Sequence, residues 1–210
     1  MGINKNQFAF LQDHAFGRCL GNKMLELGNQ WMEIPGFGPD WAKAYYEKNG
    51  WDHTSADKNG EGGAVKVDLT QPGHFLESTF DIVTDHGTIE HINGVGAQYS
   101  VFKNLHEWGK PGCVYAHIVP LQNKEHQSIN GFVFGMHGFY GYSSEFWKAF
   151  ANECGYDLIY AGADYTNLSK TRVYSCACYV KTPDSTLLSL EKLKELYDKY
   201  VDYYNSGSQQ

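Results

Sequence analysis

The sequence lacks long apolar runs, and none of its 210 residues belongs to a stretch near the roughly 20 apolar residues that a membrane-spanning helix needs. The first six residues, MGINKN, have neither an apolar segment nor a small-residue cleavage site, so we expect no secretory leader. We therefore expect a cytoplasmic protein that does not bind a membrane.

Basic residues are scarce as well. Lysine and arginine total 17 against 24 acidic residues, which gives a formal net charge of −7. Since the affinity of proteins for nucleic acid depends strongly on basic side chains that contact phosphates, this balance disfavours a nucleic-acid partner. A small or cationic partner suits an acidic surface better.

Cysteine is too scarce, and odd in number, for a disulfide framework. The five thiols are Cys19, Cys113, Cys154, Cys176 and Cys178. We expect free, mostly buried cysteines in a reducing compartment. Cys176 and Cys178 fall on one face of a predicted strand, but no second cysteine pair accompanies them as a zinc site would require.

What is present suits one globular domain, with 42% hydrophobic and 20% charged residues over a length typical of a single core. We assign that domain to residues 1–205 and a disordered tail to residues 206–210. Apolar periodicity predicts alternating strands and helices, and therefore an α/β fold. The predicted strands are 23–27, 53–57, 64–69, a strand that begins at 80 and ends at the turn 85–87, 114–121, 156–160 and 173–180. The predicted helices are 40–48, 97–108, 144–154 and 187–204, with a Gly/Pro-rich loop at 35–39.

The most informative segment is FDIVTDHGTIEHI, residues 80–92, which KPGCVYAHI, residues 110–118, follows about twenty residues later. A buried strand ends in a polar turn that contains Asp85 and His86, an amphipathic helix comes next, and Pro-Gly begins another strand. This is a βαβ unit with polar residues at the carboxyl end of its first strand. Ligands bind at these ends in open α/β sheets.

These segments resemble the middle of the class I S-adenosylmethionine-dependent methyltransferases, whose fourth strand commonly reads Phe-Asp-x-Val and runs into Gly-x-x-Glu-His, with Lys-Pro-Gly before the fifth. The matching residues here are Phe80, Asp81, Val83, Gly87, Glu90, His91, Lys110, Pro111 and Gly112. Residues 24–28, MLELG, are similar to the family's first strand and the start of its cofactor loop. The resemblance implies a Rossmann-like three-layer sandwich around a mostly parallel seven-stranded sheet whose last strand is antiparallel.

The resemblance also implies S-adenosylmethionine as the cofactor. Glu26 would help to hold its methionine end, and Asp57 would bridge the ribose hydroxyls. Asp68 would accept from the adenine amine, with the backbone amide of Leu69 nearby. Each acid also fits a simpler role, since Asp57 and Asp68 are common types of turn or capping residue. A buried Glu26 is costly unless it is paired, which favours a functional role.

The first loop departs from the family pattern. Gly28 lets the backbone approach a ligand closely, but Asn29, Gln30 and Trp31 stand where the family has two further glycines. Asn29 and Gln30 carry amide groups that could partly replace the missing loop, and asparagine tolerates a left-handed backbone. A non-catalytic binding protein with a degenerate cofactor loop also fits this sequence.

Asp85 and His86 are the predicted catalytic residues, because the fourth strand would end beside the transferred methyl group. Either could orient an acceptor or act as a base, and Asp85 could also contact the donor. A metal-dependent enzyme that uses His86, Glu90 and His91 is a less favoured alternative. Some methyltransferases of this fold bind a divalent ion through Glu-x-x-Glu-His, and Gly87 replaces the first of those glutamates here, so no metal site is predicted.

The resemblance thus implies an enzyme that transfers a methyl group from S-adenosylmethionine, and we expect a small-molecule acceptor. Residues 122–141, a long Gly-rich connection with many aromatic and histidine residues, are the predicted acceptor-side lid, since long loops in compact domains tend to be functional.

Overall fold

The computed structural model describes residues 2–121, 138–165 and 173–203. Most of the predicted lid and the whole predicted tail lie outside these residues. The strands are β1 (Gly2–Asn4), β2 (Lys23–Leu27), β3 (Trp31–Ile34), β4 (Phe37–Trp41), β5 (Asp52–Asp57), β6 (Val65–Lys66), β7 (Phe80–His86), β8 (Gly109–Pro120), β9 (Tyr140–Tyr142), β10 (Asp157–Tyr165), β11 (Val173–Val180) and β12 (Val201–Tyr203). The helices are α1 (Lys5–His14), α2 (Ala42–Lys48), α3 (Val95–Trp108), α4 (Ser144–Cys154) and α5 (Leu190–Tyr200).

The main sheet has seven strands in the order β10-β11-β8-β7-β2-β5-β6. Every neighbouring pair is parallel except the two that involve β11, which runs antiparallel to both β8 and β10. All seven residues of β7 are buried, as expected for a central strand that is covered on both faces. The predicted mostly parallel sheet, with its last strand antiparallel, is confirmed.

Helices cover both faces of this sheet and so form three layers. Alternate side chains of each central strand enter different cores, because successive residues of a strand point to opposite faces. Leu25 and Val83 pack in a core with α3, α4 and α5, whereas Met24 and Ile82 pack in a second core with α1 and α2. Among the described residues, no helix is long and apolar enough to span a membrane.

The segment after β2 differs from the prediction of a loop at 35–39. It forms the hairpin β3–β4, which joins β1 in a separate three-stranded sheet. Trp31 and Trp41 face each other across the hairpin with ring centroids 5.2 Å apart, and Met32 and Ile34 are buried beneath it. These contacts stabilise strands in a stretch that Pro and Gly alone mark as a loop.

The amino-terminal helix α1 was not predicted. It begins at a capping box, in which the Asn4 side chain accepts from the backbone N–H of Gln7, and the Gln7 side chain accepts from that of Asn4. The Asn-x-x-Gln spacing of a capping box is visible in the sequence, and it marks Asn4 as a helix N-cap.

Two predicted elements are shorter in the structure. The third strand extends only over Val65–Lys66, because Asp68 turns back to accept from the backbone N–H of Thr70 at 3.0 Å. The last helix stops at Tyr200, since the next three residues pair antiparallel with Tyr140–Tyr142 as β12. Apolar spacing alone does not distinguish this short strand from a further helical turn.

Candidate cofactor site

A cavity of about 590 Å³ lies where β2, β5 and β7 end. This volume falls within the range of small-molecule and cofactor sites. The carboxyl ends of the strands are also where the sequence predicts a ligand. The cavity is lined by Gly28, Asn29, Gln30, Asp57, Lys58, Val67, Asp68, Leu69, Thr70, Gly87, Thr88, His91, Ile92, Asn93 and Ala97.

Most of the residues predicted to bind the cofactor meet at this cavity. The ones that line it are Gly28, Asn29, Asp57, Asp68 and Leu69. They come from three separate segments of the chain, which the parallel arrangement of β2, β5 and β6 brings together. Glu26, Asp85 and His86 do not line the cavity and are fully buried.

Gly28 forms the part of the cavity wall that follows β2. Its φ of +74° is a left-handed conformation, and its N–H donates to the carbonyl of Ala56 at 2.8 Å. A Cβ atom here would lie 2.6 Å from Oγ1 of Thr88 and 2.8 Å from Nε2 of Gln30. Only glycine therefore fits this position without moving its neighbours.

Asp57 connects the ends of β2 and β5. Its Oδ2 accepts from the backbone N–H of Asn29 at 3.0 Å, and its Oδ1 accepts from that of Asn59 at 2.9 Å. The second bond is the turn contact that any aspartate at this place could make. The first fixes the loop after Gly28 to the neighbouring strand. Each carboxylate oxygen keeps a further lone pair, so Asp57 can still accept from two hydroxyls.

Asp68 also lines the cavity, in the segment that follows β6, and is exposed. Its Oδ1 accepts from both the backbone N–H and the hydroxyl of Thr70, at 3.0 and 2.7 Å, and these bonds lower the pKa of the carboxyl. Next to it, the carbonyl of buried Leu69 accepts from Asn104 of α3 at 2.8 Å. The helix thus holds this wall of the cavity in place.

Glu26 lies directly behind the loop that follows β2. Its Oε2 accepts from the backbone N–H of Gln30 at 3.4 Å and from the hydroxyl of Ser55 at 3.1 Å. Burial raises the pKa of this carboxyl to about 8. The Nε2 of His53 is 3.7 Å away, and burial lowers the pKa of that ring to about 4. Both groups are therefore uncharged at neutral pH.

Asp85 is tied into the sheet. Its Oδ1 accepts from the backbone N–H of Thr88 at 3.0 Å, and its Oδ2 is 3.1 Å from Nδ1 of His117. The other ring nitrogen of His117 is 2.9 Å from the hydroxyl of Tyr179. Asp85 thus supports the turn that places Gly87 and Thr88 in the cavity wall, whereas the predicted direct contact with a donor or acceptor needs a different arrangement of its side chain.

His86 is enclosed and has no hydrogen-bond partner at either ring nitrogen among the described residues. Burial lowers the pKa of His86 to about 4, so the ring is neutral. In this arrangement the ring does not reach the cavity. Its role as a base on an acceptor stays a prediction.

Glu90 and His91 follow the same turn. Glu90 is fully buried, and burial followed by the nearby charge of Asp85 raises the pKa of its carboxyl well above the usual range. Its Oε1 is 3.6 Å from Nε2 of His91, which lines the cavity. In the described part of the chain, no group of three or more His, Cys, Asp or Glu side chains is placed to hold a metal ion.

Several cavity residues were not predicted from the sequence. Thr88 is the most central, because its hydroxyl donates to the carbonyl of Leu27 at 2.8 Å and so joins the ends of β2 and β7. Gln30, whose amide was expected to replace part of the missing glycine loop, donates from its side chain to the same carbonyl at 3.3 Å. The only sequence feature that points to Thr88 is its position directly after a glycine that ends a strand.

Comparison with solved structures identifies the fold. A SAM-dependent methyltransferase from Methanosarcina mazei superposes with a TM-score of 0.57 at 11% identity, over 87% of this chain and 99% of that one. Phosphoethanolamine N-methyltransferase 1 from Haemonchus contortus superposes with a TM-score of 0.60 at 12% identity, over 91% of this chain and 46% of that one. The 1,6-didemethyltoxoflavin-N1-methyltransferase from Burkholderia thailandensis superposes with a TM-score of 0.52 at 14% identity, over 76% of this chain and 71% of that one. No protein-family model and no curated protein matches the sequence.

The chain therefore has the Rossmann-like fold of the class I methyltransferases, as its motifs predicted. The identities are low, so this likeness establishes the fold, and one fold hosts many functions.

Proposed function

We propose that the protein is an S-adenosylmethionine-dependent methyltransferase that acts on a small-molecule acceptor. One observation carries the proposal: five residues assigned to the donor from sequence motifs line a single cavity at the ends of three strands. They are Gly28, Asn29, Asp57, Asp68 and Leu69. The parallel strands bring these ends together, and the residue types that stand there are the ones that the donor would require.

The nucleoside end of the donor fits between β5 and the segment after β6. Asp57 offers carboxylate oxygens to a vicinal diol, which can donate two hydrogen bonds to them. Val67 and Leu69, both mostly buried, give apolar surface for a purine ring. Asp68 provides an acceptor for the exocyclic amine at the rim.

The methionine end fits against the loop after β2. Oδ1 of Asn29 and Oε1 of Gln30 have no hydrogen-bond partner among the described residues. Both atoms are amide oxygens and therefore acceptors. An ammonium group carries three donors and a positive charge, and so matches a set of acceptors that no protein donor occupies.

The chemistry asks little of the protein beyond positioning. When bound, the donor supplies an electrophilic methyl group on a sulfonium, which is a good leaving group. The residues of the cavity have to hold donor and acceptor at attack distance. The turn from Gly87 to His91 fixes the end of the cavity nearest β7, and Asp85 holds this turn through the backbone N–H of Thr88.

The small-molecule acceptor is supported by two neighbours of the same fold. One was solved with phosphoethanolamine and the other with 1,6-didemethyltoxoflavin, each together with S-adenosylhomocysteine. The net charge of −7 also suits a small or cationic acceptor better than a polyanion.

A non-catalytic binding protein is the second candidate. The observation that favours it is the hairpin β3–β4 that follows Gly28, since no helix begins at this loop to direct its N-terminus toward a ligand. Loss of the donor site would leave a fold that serves only as a scaffold.

Isothermal titration with S-adenosylmethionine and S-adenosylhomocysteine separates these candidates. We expect micromolar binding of both, and Asp57→Ala should weaken it about 10- to 100-fold because charge-assisted hydrogen bonds are lost. Asp52→Ala is the matched control, since Asp52 is exposed at the opposite end of the same strand. Absence of binding by the unaltered protein would favour the scaffold, and equal loss in both variants would contradict the role of Asp57.

A further inference from the structure

A cluster of buried polar side chains lies behind the cavity wall, between the main sheet and α2. We call it the Glu26 cluster, and its members are Glu26, Gln30, Tyr46, His53 and Ser55. All are nearly or fully buried. The ring of His53 stacks on that of Tyr46 with centroids 5.1 Å apart and lies 3.7 Å, through Nε2, from Oε2 of Glu26.

The cluster holds more polar atoms than hydrogen bonds. Oε1 of Glu26, Oε1 of Gln30, the hydroxyl of Tyr46 and both nitrogens of His53 have no partner in the described part of the chain. Buried polar groups are satisfied in most proteins, and the exceptions are often tied to function. The cluster touches the cavity through Gln30, which lines the cavity and whose backbone N–H donates to Glu26.

No cation in the described structure compensates a charge on Glu26. Tyr46 faces it from α2 and His53 from β5, while Thr84 is its register partner on β7. The positive charge of Lys43, on α2, helps to lower the pKa of His53. The Lys43 side chain is partly exposed, however, and its Nζ lies 3.8 Å from Oε1 of Glu47. An ionised Glu26 would therefore be a buried charge without a counter-ion, a state that proteins usually avoid by keeping the proton.

We propose that Glu26 holds a proton in the empty protein and releases it when a cationic ligand binds beside the loop Gly28–Gln30. The inference rests on the proposed function, in which the donor's ammonium occupies this end of the cavity. The ligand's positive charge then supplies the missing counter-ion, separated from the carboxyl only by that loop. The carboxylic acid becomes a carboxylate, and the proton passes to the solvent.

His53 has a positioning role in this device. A neutral imidazole that is held by stacking on Tyr46 faces the carboxyl without adding a positive charge to the site. In the empty protein the bound proton thus neutralises Glu26, and in the complex the positive charge of the ligand compensates the carboxylate. Burial raises the pKa of the Glu26 carboxyl and lowers the pKa of the His53 ring, so both groups favour their neutral forms in the empty protein.

The consequence is a binding affinity that depends on pH. Since only the ionised form of Glu26 pairs with the ligand, the dissociation constant should fall about tenfold for each pH unit by which the pH is raised, up to roughly pH 8. A purely structural role of Glu26 would leave the affinity independent of pH in this range.

Calorimetric titration with S-adenosylhomocysteine, which carries the ammonium, measures the coupling directly. At pH 7, the apparent binding enthalpy in phosphate and in Tris, which differ in ionisation enthalpy, should show release of close to one proton for each ligand bound. Glu26→Gln should bind without proton release and without the pH dependence. Glu33→Gln, at an exposed acid of β3, should behave like the unaltered protein.

The outcomes separate the two proposals. Binding without proton release by the unaltered protein overturns the coupling and leaves the proposed function intact. Failure of S-adenosylhomocysteine to bind overturns both. Infrared difference spectra of the empty protein against Glu26→Gln give a test that needs no ligand. We expect the carbonyl band of a protonated carboxyl at pH 7, and its absence from the difference spectrum overturns the proposal.

Discussion

Gly28 shows how a single residue can be required both by the backbone and by the site. Its φ is +74°, and a Cβ atom would meet Thr88 and Gln30, whereas Gly36 has a φ of +83° with open space around it. Gly28→Ala and Gly36→Ala should each lose about 1 kcal/mol of unfolding free energy from the left-handed conformation.

Only Gly28→Ala should also lose affinity for S-adenosylhomocysteine, because only there does the added methyl group displace the cavity wall. Urea unfolding and calorimetric titration of both variants check this prediction. Equal affinity of the two variants would show that the loop after β2 does not contact the ligand.

Glu26 and Glu90 predict how stability depends on pH. Burial raises the pKa of Glu26 to about 8 and that of Glu90 well above its usual range. Each acid keeps its proton in the folded protein at pH values where the unfolded chain has lost it. Stability should therefore fall as pH rises above 6.5, by at most about 1.4 kcal/mol per pH unit for each group, and the contribution of Glu26 should fade as the pH approaches 8.

Unfolding free energies measured in urea at several pH values test this. Glu26→Gln and Glu90→Gln should each make the fall of unfolding free energy with pH less steep, because one of the two titrating acids is removed. Glu33→Gln should leave the pH dependence unchanged. The range begins at pH 6.5 because His53 and His86, whose pKa values burial lowers to about 4, cause the opposite trend below that pH. A slope that neither variant alters would contradict the neutral state of both acids.

The sequence predicted which residues lie at strand ends better than what each one contacts. Gly28, Asp57 and Asp68 line the cavity, since each lies at or just after the end of a parallel strand. Asp85 lies at the same edge, but its oxygens contact Thr88 and His117. Those partners come from distant segments, so no local pattern could reveal that the carboxylate was already engaged.

At the scale of elements, the capping box of α1 gives a direct test of a local signal. Asn4→Ala should cost about 1 kcal/mol of stability, because the backbone N–H groups of Asn6 and Gln7 lose their acceptor. Asn4→Ser should retain most of the stability, since serine is also a good N-cap. Thermal and urea unfolding measure both changes, and equal losses would indicate that the hydrogen bonds at Asn4 do not stabilise the helix.

Elements with strong periodicity were predicted well, and elements held by distant partners were not. Helix α4 has the predicted bounds, Ser144–Cys154, with Gly155 left-handed at its end. By contrast, Trp31 packs on Trp41 to form an unpredicted hairpin, and Val201–Tyr203 leaves the predicted helix to pair with β9. In both cases a contact between strands overrides a local pattern of residues.

For the whole molecule, ligand binding should appear as stabilisation. A ligand at one hundred times its dissociation constant adds about 2.7 kcal/mol to the unfolding free energy. For a chain of this size that corresponds to a rise of roughly 5–10 °C in the melting temperature. Thermal unfolding with S-adenosylhomocysteine should show this rise, and Asp57→Ala at the same ligand concentration should show much less of it. A rise of equal size in both proteins would place the ligand elsewhere.

The topology of the whole molecule was the most predictable level. Alternating strands and helices determine a parallel sheet with helices on both faces, and the motifs around β7 identified the family that shares this fold. The cavity follows from that topology, because β2, β5 and β7 end side by side.

The central claim is that this cavity is the donor site, and a crystal structure of the protein with S-adenosylhomocysteine tests it most directly. We predict the ribose hydroxyls on the carboxylate of Asp57, the adenine beside Asp68 and Leu69, and the ammonium against the loop Gly28–Gln30. A ligand bound away from Asp57, or an empty cavity in crystals grown with saturating ligand, would contradict the claim.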